Sequence, residues 1–348
     1  MLKSIETLSD PKRIPGVDVL RGIAVIAVVL FHFGVLPYGY IGVDLFFVVS
    51  GFLVGRPLAR TVIQGKRPLV GRFIITRGFK IWPSYYAFIG LGTLMATALY
   101  SQTHPDQIIT WSHAPRYLLF FQNYRGTPHW SFDHVWSLCV EEHFYVLLPV
   151  SALVAFRLFG GGSRTIARVA VAGILAGVIA KVAGHRIGFE THAATHNRVD
   201  ALSWGLLLAI AHEADWRLLR RIERSRWTPF VGGSIVAVAV LLHAVDASPL
   251  FAAIGFHSVL PVGIVLLLAW ARTLRTGPRS VRFVAYYSYN LYLWHAPLVF
   301  ALRDRFGSGA LGLLLYLSAA MTIAIAATAL VEEPCLRLRG RLLGASPG

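Results

Sequence analysis

The sequence is poor in charged residues and in cysteine. Asp, Glu, Lys and Arg make up only 14% of its 348 residues, whereas 55% are hydrophobic, and the mean hydropathy is +0.59. Soluble domains usually carry about 25% charged residues, so this composition excludes an ordinary soluble protein. The only cysteines, Cys139 and Cys335, give no disulfide framework and are expected to be unpaired. These shortages predict a polytopic protein embedded in a lipid bilayer.

Acidic residues are scarce relative to basic ones. The chain has 33 Lys and Arg residues against 17 Asp and Glu residues, a formal net charge of +16. The basic residues do not form one patch or tail that would suit a nucleic acid, because they recur in short clusters between apolar runs. This distribution is the positive-inside pattern of membrane proteins. We therefore expect no nucleic-acid partner.

Apolar runs suited to crossing a bilayer recur along the whole chain. One transmembrane helix needs about 20 mainly apolar residues. We predict an all-α fold, a polytopic membrane helical bundle of about ten transmembrane helices, forming a single domain over residues 1–348. The predicted spans are 17–36, 41–55, 83–100, 134–156, 166–183, 200–213, 228–245, 252–271, 283–301 and 310–331.

The basic clusters fall in alternate loops of this ten-helix arrangement. Positive loops stay on the cytoplasmic side, so both termini are predicted to be cytoplasmic, with tails over residues 1–15 and 333–348. The first apolar run ends in aromatic residues rather than in a small-residue cleavage site, which favours an uncleaved first span. The basic segments are the N-terminal tail, 56–80, 157–168, 217–226, 272–282 and 337–341.

The first span carries an arginine and a histidine. Arg21 and His32 are eleven residues apart, which is about 16 Å of helix rise, or half of a bilayer core. A titratable side chain at depth in lipid usually faces a bundle interior or an aqueous cavity and serves a function there. The alternative for His32 is a neutral histidine that forms hydrogen bonds between helices without a chemical role.

Further polar residues fall in the predicted outer half of the bundle. Glu141 and Glu142 lie next to each other in the fourth span, and helical neighbours point about 100° apart, so at most one of them can face the same target as Trp136. Each of these residues could be structural, but together they predict a shared functional cavity. The others at this level are Asp44, Arg198, Asp200, Asn290 and His295.

A second polar cluster is expected at the cytoplasmic side, near the start of the third span. Arg77 and Lys80 lie one helical turn apart, just before Pro83, which suits the first turn of a helix. A helix N-terminus flanked by cations is a common phosphate site. Anchoring of lipid headgroups explains the same residues equally well.

Several sequence blocks resemble the acyltransferase-3 family of integral membrane acyltransferases. The spacing of Arg21 and His32 matches the family's arginine, ten residues, histidine signature. The other blocks follow in order over almost the whole chain, which is more specific than any single motif. They are GVDLFFVVSGFLVG at 42–55, FKIWPSYY at 79–86, VWSLCVEEHFY at 135–145, RVDALSWGLLLA at 198–209, YSYNLYLWHAPLV at 287–299 and VEEP at 331–334.

The resemblance implies transfer of an acyl group, expected to be acetyl, from acyl-CoA to a hydroxyl of a sugar or sugar-bearing acceptor in a bacterial cytoplasmic membrane. It implies an acyl-CoA donor, with acetyl-CoA expected, and no metal. Catalytic roles are predicted for His32, Glu141 and Glu142, and donor binding for Arg21, Arg77 and Lys80. The residues predicted to bind the acceptor substrate are Asp44, Trp136, Arg198, Asp200 and His295.

The chain departs from the family pattern at three places. Thr76-Arg77 stands where the family has paired arginines, and Lys80 replaces the next arginine. The lysine ammonium is a point charge and cannot form the two parallel hydrogen bonds that an arginine guanidinium forms with a phosphate. His143 replaces a glutamine after the two glutamates. No fused hydrolase-like domain is expected after the tenth span.

The residue types suit base-catalysed acyl transfer. A histidine titrates near neutrality and can take the acceptor's hydroxyl proton, and a carboxylate such as Glu141 could orient its other nitrogen. Direct attack on the thioester is the predicted route; an acyl-enzyme on Cys139 is the alternative. Two other classes of protein fit part of the pattern. One is a transporter or flippase that moves a lipid-linked or glycosylated substrate and uses these residues as a proton relay. The other is a non-catalytic scaffold.

Overall fold

The computed structural model describes residues 13–100, 109–124, 130–188, 192–246, 248 and 250–344, and this part of the chain is helical without a strand. Most of the two predicted tails, residues 1–12 and 345–348, lies outside the described residues. The helices are α1 (Pro15–Phe33), α2 (Ile41–Ile63), α3 (Val70–Tyr100), α4 (Ala114–Leu118), α5 (Trp136–Phe159), α6 (Ser163–Arg186), α7 (Val199–Glu213), α8 (Arg217–Arg224), α9 (Thr228–Ala244), α10 (Phe256–Ala271), α11 (Arg279–Tyr286), α12 (Ser288–Phe306), α13 (Ala310–Ala327) and α14 (Glu333–Leu342).

Short helical segments join some of these helices. Gln122–Tyr124, Trp130–Val135 and Thr195–Asn197 are 3₁₀ turns, whereas Phe251–Gly255 leads into α10 and Thr328–Glu332 joins α13 to α14 as π-helical segments. Such π-segments widen a helix locally and are frequent at functional sites. Together with the apolar composition, this architecture confirms the predicted all-α membrane fold.

The centre of the bundle is the tight packing of α2 on α7. Gly51 makes it possible, because a Cβ at that position would overlap the carbonyl of Leu202. Gly51 therefore serves close packing of the two helices. Helix α1 packs on α2, α11 and α12, while α6 packs on α7. The core therefore brings α1, α2, α7 and α12 together, and these helices carry many of the polar residues described below.

Five helical stretches in the described residues are long and apolar enough to cross a membrane. They are Pro15–Phe33, Ile41–Ile63, Ser131–Phe159, Ser163–Arg186 and Ala310–Leu342, and the pair α8 and α9, bent by 87°, would add a sixth. Helix α3 is 31 residues long but carries Arg72, Arg77 and Lys80 in its first half. The count of ten spans and the cytoplasmic termini stay predictions. Below, "inner end" means the end of the bundle where α1 begins, and "outer end" the end where it stops.

Two predicted boundaries were wrong. The third helix does not start at Pro83: it starts at Val70, so Pro83 lies inside it, and Arg77 and Lys80 are on the helix side rather than before its N-terminus. The bundle tolerates this proline, and the Tyr289 hydroxyl donates to the Ile81 carbonyl beside it at 2.8 Å. The second helix runs past residue 55 to Ile63, because Arg56 and Arg60 hold Glu213 of α7 at 2.9 and 2.8 Å.

Candidate active site

A cavity of about 160 Å³ lies between α1, α2, α3, α5 and α12. Most of its wall is apolar, formed by side chains such as Phe46, Leu53 and Leu138. Its polar groups are three cations, one carboxylate, three serines and three tyrosines. These are Arg21, Arg77, Lys80, Glu141, Ser50, Ser137, Ser288, Tyr145, Tyr289 and Tyr292. Narrow, mostly apolar cavities with a few convergent polar groups are typical ligand sites.

The three cations of the cavity differ in their partners. Arg21 donates to the Ser288 hydroxyl at 3.0 Å, and no acidic side chain of the described residues lies at hydrogen-bond distance from it. Lys80 is paired with Glu332 of the π-segment. Among the described residues, Arg77 has no hydrogen-bond or ion-pair partner, although the charges of Glu141, Glu142 and Arg339 reach it. Arg77 is therefore the cation of this group most open to an anionic ligand.

The two adjacent glutamates face different surroundings, as their angular separation predicts. Glu141 lines the cavity and accepts a hydrogen bond from Tyr145 at 2.8 Å, and the Tyr145 hydroxyl also contacts Ser50. Glu142 points towards α3, where Trp82 Nε1 donates to it at 3.0 Å. Of the two, Glu141 lines the cavity, while Glu142 joins α5 to α3.

His32 belongs to a cluster of three histidines at the outer end of α1. Its Nδ1 lies 3.0 Å from the Val28 carbonyl and 3.2 Å from His295 Nε2. The ring of His134 lies 6.5 Å from that of His32 and 5.1 Å from that of His295. His134 Nε2 donates to the Leu293 carbonyl at 3.0 Å, which ties the start of α5 to α12. The charge of the exposed Asp133 also reaches His32.

These contacts assign the proton positions of His32. A carbonyl can only accept, so Nδ1 of His32 carries the proton and Nε2 keeps its lone pair. His295 Nδ1 donates to the Tyr292 carbonyl at 2.7 Å, so its Nε2 is the acceptor that faces His32. His295 and the Val28 carbonyl together fix the orientation of the His32 ring, and Nε2 has no hydrogen-bond partner among the described residues. The predicted partner Glu141 does not do this: among the described contacts, its hydrogen bond goes to Tyr145.

A chain of hydroxyl contacts connects the cavity with the histidines. Ser137 and Tyr292 line the cavity, and their hydroxyl oxygens lie 2.6 Å apart. The Tyr292 hydroxyl donates to the His134 carbonyl at 2.7 Å, and the Tyr292 ring lies 5.7 Å from His295. Seven residues, or about 10 Å of helix rise, separate His134 from Glu141 on α5. The cavity therefore runs from the inner cations to Ser137 and Tyr292, and the histidine cluster lies just beyond these two hydroxyls.

The predicted acceptor residues form a separate buried ionic cluster. Arg198 contacts Asp44 at 3.3 Å, and Lys181 of α6 is paired with Asp200. His257 Nδ1 lies 3.5 Å from Asp44. These groups join α2, α6, α7 and α10 by opposite charges, although Asp44 Oδ1, Arg198 Nε and Asp200 Oδ1 have no hydrogen-bond partner among the described residues.

Trp136 packs beside this ionic cluster, with its ring 5.4 Å from the Arg198 guanidinium and 5.9 Å from the ring of the cavity residue Phe47. His295, predicted with this group, lies instead against His32. The structure thus brings together Asp44, Trp136, Arg198 and Asp200, and it separates them from the histidine cluster.

Sequence reasoning missed His134, Lys181, His257 and Glu332. His134 lies at the edge of a predicted span, where a polar residue is ordinary, and Lys181 lies inside the predicted span 166–183, where a charged residue was the available signal. Glu332 belongs to the VEEP block, yet its pairing with Lys80 depends on how α3 and α14 pack. In the described residues, no group of three or more His, Cys, Asp or Glu side chains could hold a metal ion. Cys139 and Cys335 are free, as predicted.

We expect the two glutamates to respond differently to the same change. Glu142→Gln should leave acyl transfer within about threefold of wild type, because the amide oxygen can still accept from Trp82 Nε1. Glu141→Gln removes the one carboxylate that lines the cavity and should change kcat/KM by about tenfold or more. Steady-state kinetics of both variants would test this, and equal effects would contradict the division of roles.

The fold and this site define a class: an all-α membrane protein with cations at the inner end of its cavity and a histidine cluster beyond the outer end. The family model described as an acyltransferase domain matches residues 14–332. The chain therefore belongs to the acyltransferase-3 family of membrane acyltransferases, which confirms the resemblance seen in its sequence blocks.

Three relatives illustrate the similarity. The chain is 24% identical to O-acetyltransferase OatA of Staphylococcus aureus (strain NCTC 8325 / PS 47) over 360 residues, covering 95% of this chain and 57% of that protein. It is 27% identical over 355 residues to BcsY of Komagataeibacter xylinus, named as a membrane-bound transacylase, covering 95% and 86%. It is 25% identical over 311 residues to peptidoglycan O-acetyltransferase OatA of Listeria monocytogenes serovar 1/2a (strain ATCC BAA-679 / EGD-e), covering 83% and 50%.

The chain thus spans about half the length of the two O-acetyltransferases, 57% and 50%. No solved structure matches the chain.

Proposed function

We propose that this chain transfers an acetyl group from acetyl-CoA to a hydroxyl of a carbohydrate or glycosylated acceptor in the bacterial cytoplasmic membrane. The observation that carries the proposal is the cavity, which has Arg77, unpaired among the described residues, at its inner end and the Ser137 and Tyr292 hydroxyls, both in contact with the His134 backbone carbonyl, at its outer end. The names of the relatives, two O-acetyltransferases and a transacylase, support an acyl group and an oxygen acceptor.

The donor's charge fits the inner end of the cavity. The phosphates of a coenzyme A thioester need cations, and Arg21 and Arg77 have no acid at hydrogen-bond distance among the described residues. The apolar wall formed by Leu53, Val54 and Leu138 suits the uncharged arm of the coenzyme. Lys80, already paired with Glu332, is proposed to shape this end rather than to bind phosphate on its own.

The acceptor reacts at His32 in this proposal. Nε2 of His32 takes the proton of the acceptor hydroxyl, whose oxygen bonds to the acyl carbon of the thioester. The carbon–sulfur bond then breaks, and the leaving thiolate takes the proton back from His32. Ser137, whose hydroxyl lines the cavity and now donates to Tyr292, would donate to the oxyanion by turning its hydroxyl away from Tyr292. His295 acts as a positioning residue because it holds His32 Nδ1 at 3.2 Å.

The ionic cluster of Asp44, Arg198, Asp200 and Lys181 is proposed to support the region where the acceptor binds. Asp44, Arg198 and Asp200 are paired within the protein, so they hold α2, α6 and α7 in place, and the half-buried Trp136 offers an aromatic face beside them. Aromatic faces suit the apolar faces of sugars. The acceptor would enter from the outer end and the donor from the inner, cytoplasmic end.

Binding of CoA to the purified protein tests the donor assignment. Arg77→Ala should weaken CoA binding about 5- to 150-fold, the effect of losing one or two charge-assisted hydrogen bonds. Arg72→Ala is the matched control, because Arg72 is on the same helix with its side chain exposed, and its Kd for CoA should stay within about twofold of wild type. Wild-type protein that binds no CoA would contradict the proposal.

A further inference from the structure

Helix α14 is fixed against α3 at the inner end of the bundle. Glu332, which immediately precedes α14, is paired with Lys80 of α3, and Asn290 Nδ2 donates to the other oxygen of Glu332 at 2.9 Å. Glu333 accepts a hydrogen bond from the Tyr286 hydroxyl at 3.0 Å. Two consecutive carboxylates are thus held by different helices, and this sets the rotation of α14 about its axis.

That rotation turns Arg339 towards α3. Arg339 follows Glu332 by seven residues, which is about two helical turns, so both lie on the same face. Helix α3 runs away from the inner end and α14 runs towards it, so residues after Glu332 pass residues before Lys80. Arg77 is one turn before Lys80, and long side chains on a helix lean towards its N-terminus, which for α3 is the region that α14 passes. The charge of Arg339 reaches Arg77.

The other arginines of α14 differ from Arg339. Arg337 lies 3.8 Å from Glu333 of the same helix, and Arg341 is exposed. Arg339 is half-buried and has no acidic side chain at ion-pair distance among the described residues. Two arginines on facing helices repel each other unless an anion lies between them. Anchoring of lipid headgroups explains exposed arginines such as Arg341, but it does not explain a half-buried arginine whose charge reaches a cation of the cavity.

We propose that Arg339 of α14 and Arg77 of α3 bind one phosphate group of the acyl-CoA donor between them, so that the C-terminal helix forms part of the donor site. This inference rests on the proposed function. Guanidinium groups bind phosphate oxygens in a bidentate manner, and two of them can share one phosphate. The coenzyme is preferred to a lipid headgroup because Arg77 lines the cavity.

Titration of CoA into purified protein in a neutral detergent tests the assignment. Arg339→Ala should raise the Kd for CoA about 5- to 30-fold, while Arg341→Ala, the same change on the exposed side of α14, should stay within about twofold. If both arginines hold one phosphate, the double variant Arg77→Ala/Arg339→Ala should lose less affinity than the product of the two single losses. Arg339→Lys should recover part of the affinity, because lysine keeps the positive charge but cannot form two parallel hydrogen bonds to one phosphate.

The outcomes separate this inference from the proposed function. Wild-type protein that fails to bind CoA overturns both. Wild-type protein that binds CoA, with Arg339→Ala binding as tightly as Arg341→Ala, overturns this inference alone. Arg339→Ala that loses binding of phosphatidylglycerol added to the micelles, with an unchanged Kd for CoA, shows a lipid-headgroup site and also contradicts it. Equal thermal midpoints of the two alanine variants will show that a lost affinity does not reflect misfolding.

Discussion

Replacement of His32 by alanine should lower turnover about 10²- to 10⁴-fold, which is the usual contribution of a general base. The protein should stay folded, because His32 is half-buried and contributes hydrogen bonds only to the Val28 carbonyl and to His295. The KM for acetyl-CoA should change little, because the donor's phosphates are assigned to the inner end of the cavity. Steady-state kinetics with purified protein measure both quantities.

His113 provides a matched control for this experiment. It lies in the segment before α4 and hydrogen-bonds to Thr110 of the same segment, so His113→Ala should leave turnover within about twofold of wild type. His295→Ala should lower kcat less than His32→Ala does, because it removes a group that positions the base and not the base itself. Near-normal acyl transfer by His32→Ala would remove His32 from the mechanism.

Replacement of Lys181 by alanine should destabilise the protein by about 3–5 kcal/mol, the cost of leaving one charge of a buried pair without its partner. Lys181 and Asp200 are both buried, with side-chain exposures of 4% and 1%, and Lys181 Nζ also donates to Ser258 at 3.2 Å. Without Lys181, Asp200 stays buried with Arg198 as the nearest remaining cation. Reversible unfolding in mixed micelles gives the free energy.

The double variant Lys181→Met/Asp200→Leu distinguishes a lost charge balance from lost packing. It removes both charges and keeps similar volumes, so its stability should return to within about 2 kcal/mol of wild type. Its transfer activity should also persist if this cluster forms a wall. A single variant Lys181→Ala as stable as wild type would show that the pair is open to water, contrary to its burial.

Much of the fold follows from hydropathy, because only helices satisfy every backbone group within lipid. The boundaries that failed are those set by contacts between helices. Pro83 is a typical first residue of a helix, yet α3 starts at Val70. Glu213 of α7 draws Arg56 and Arg60 onto the end of α2, which lengthens that helix beyond its apolar run. Neither boundary can be predicted from the residues next to it in the sequence.

The site was predictable where it depends on spacing along one helix. Arg21 and His32 lie at different depths because helix rise is fixed, and Glu141 and Glu142 face different partners because neighbours point about 100° apart. The pairing between helices was not predictable. Glu141 lines the same cavity as Arg21 and Arg77, and His295 occupies the position beside His32 that was expected for Glu141. Which helix faces which depends on packing of the whole bundle.

The central claim is that a coenzyme A thioester gives its acyl group to an acceptor at His32. The most direct measurement is radiolabelled acetyl transfer from acetyl-CoA to a glycan acceptor by purified protein in proteoliposomes, with His32→Ala as the comparison. The account predicts a labelled acceptor that requires acetyl-CoA on the inner side and that is lost in His32→Ala. Movement of unmodified substrate across the proteoliposome membrane, without labelling and without CoA binding, would contradict the account and favour a transporter.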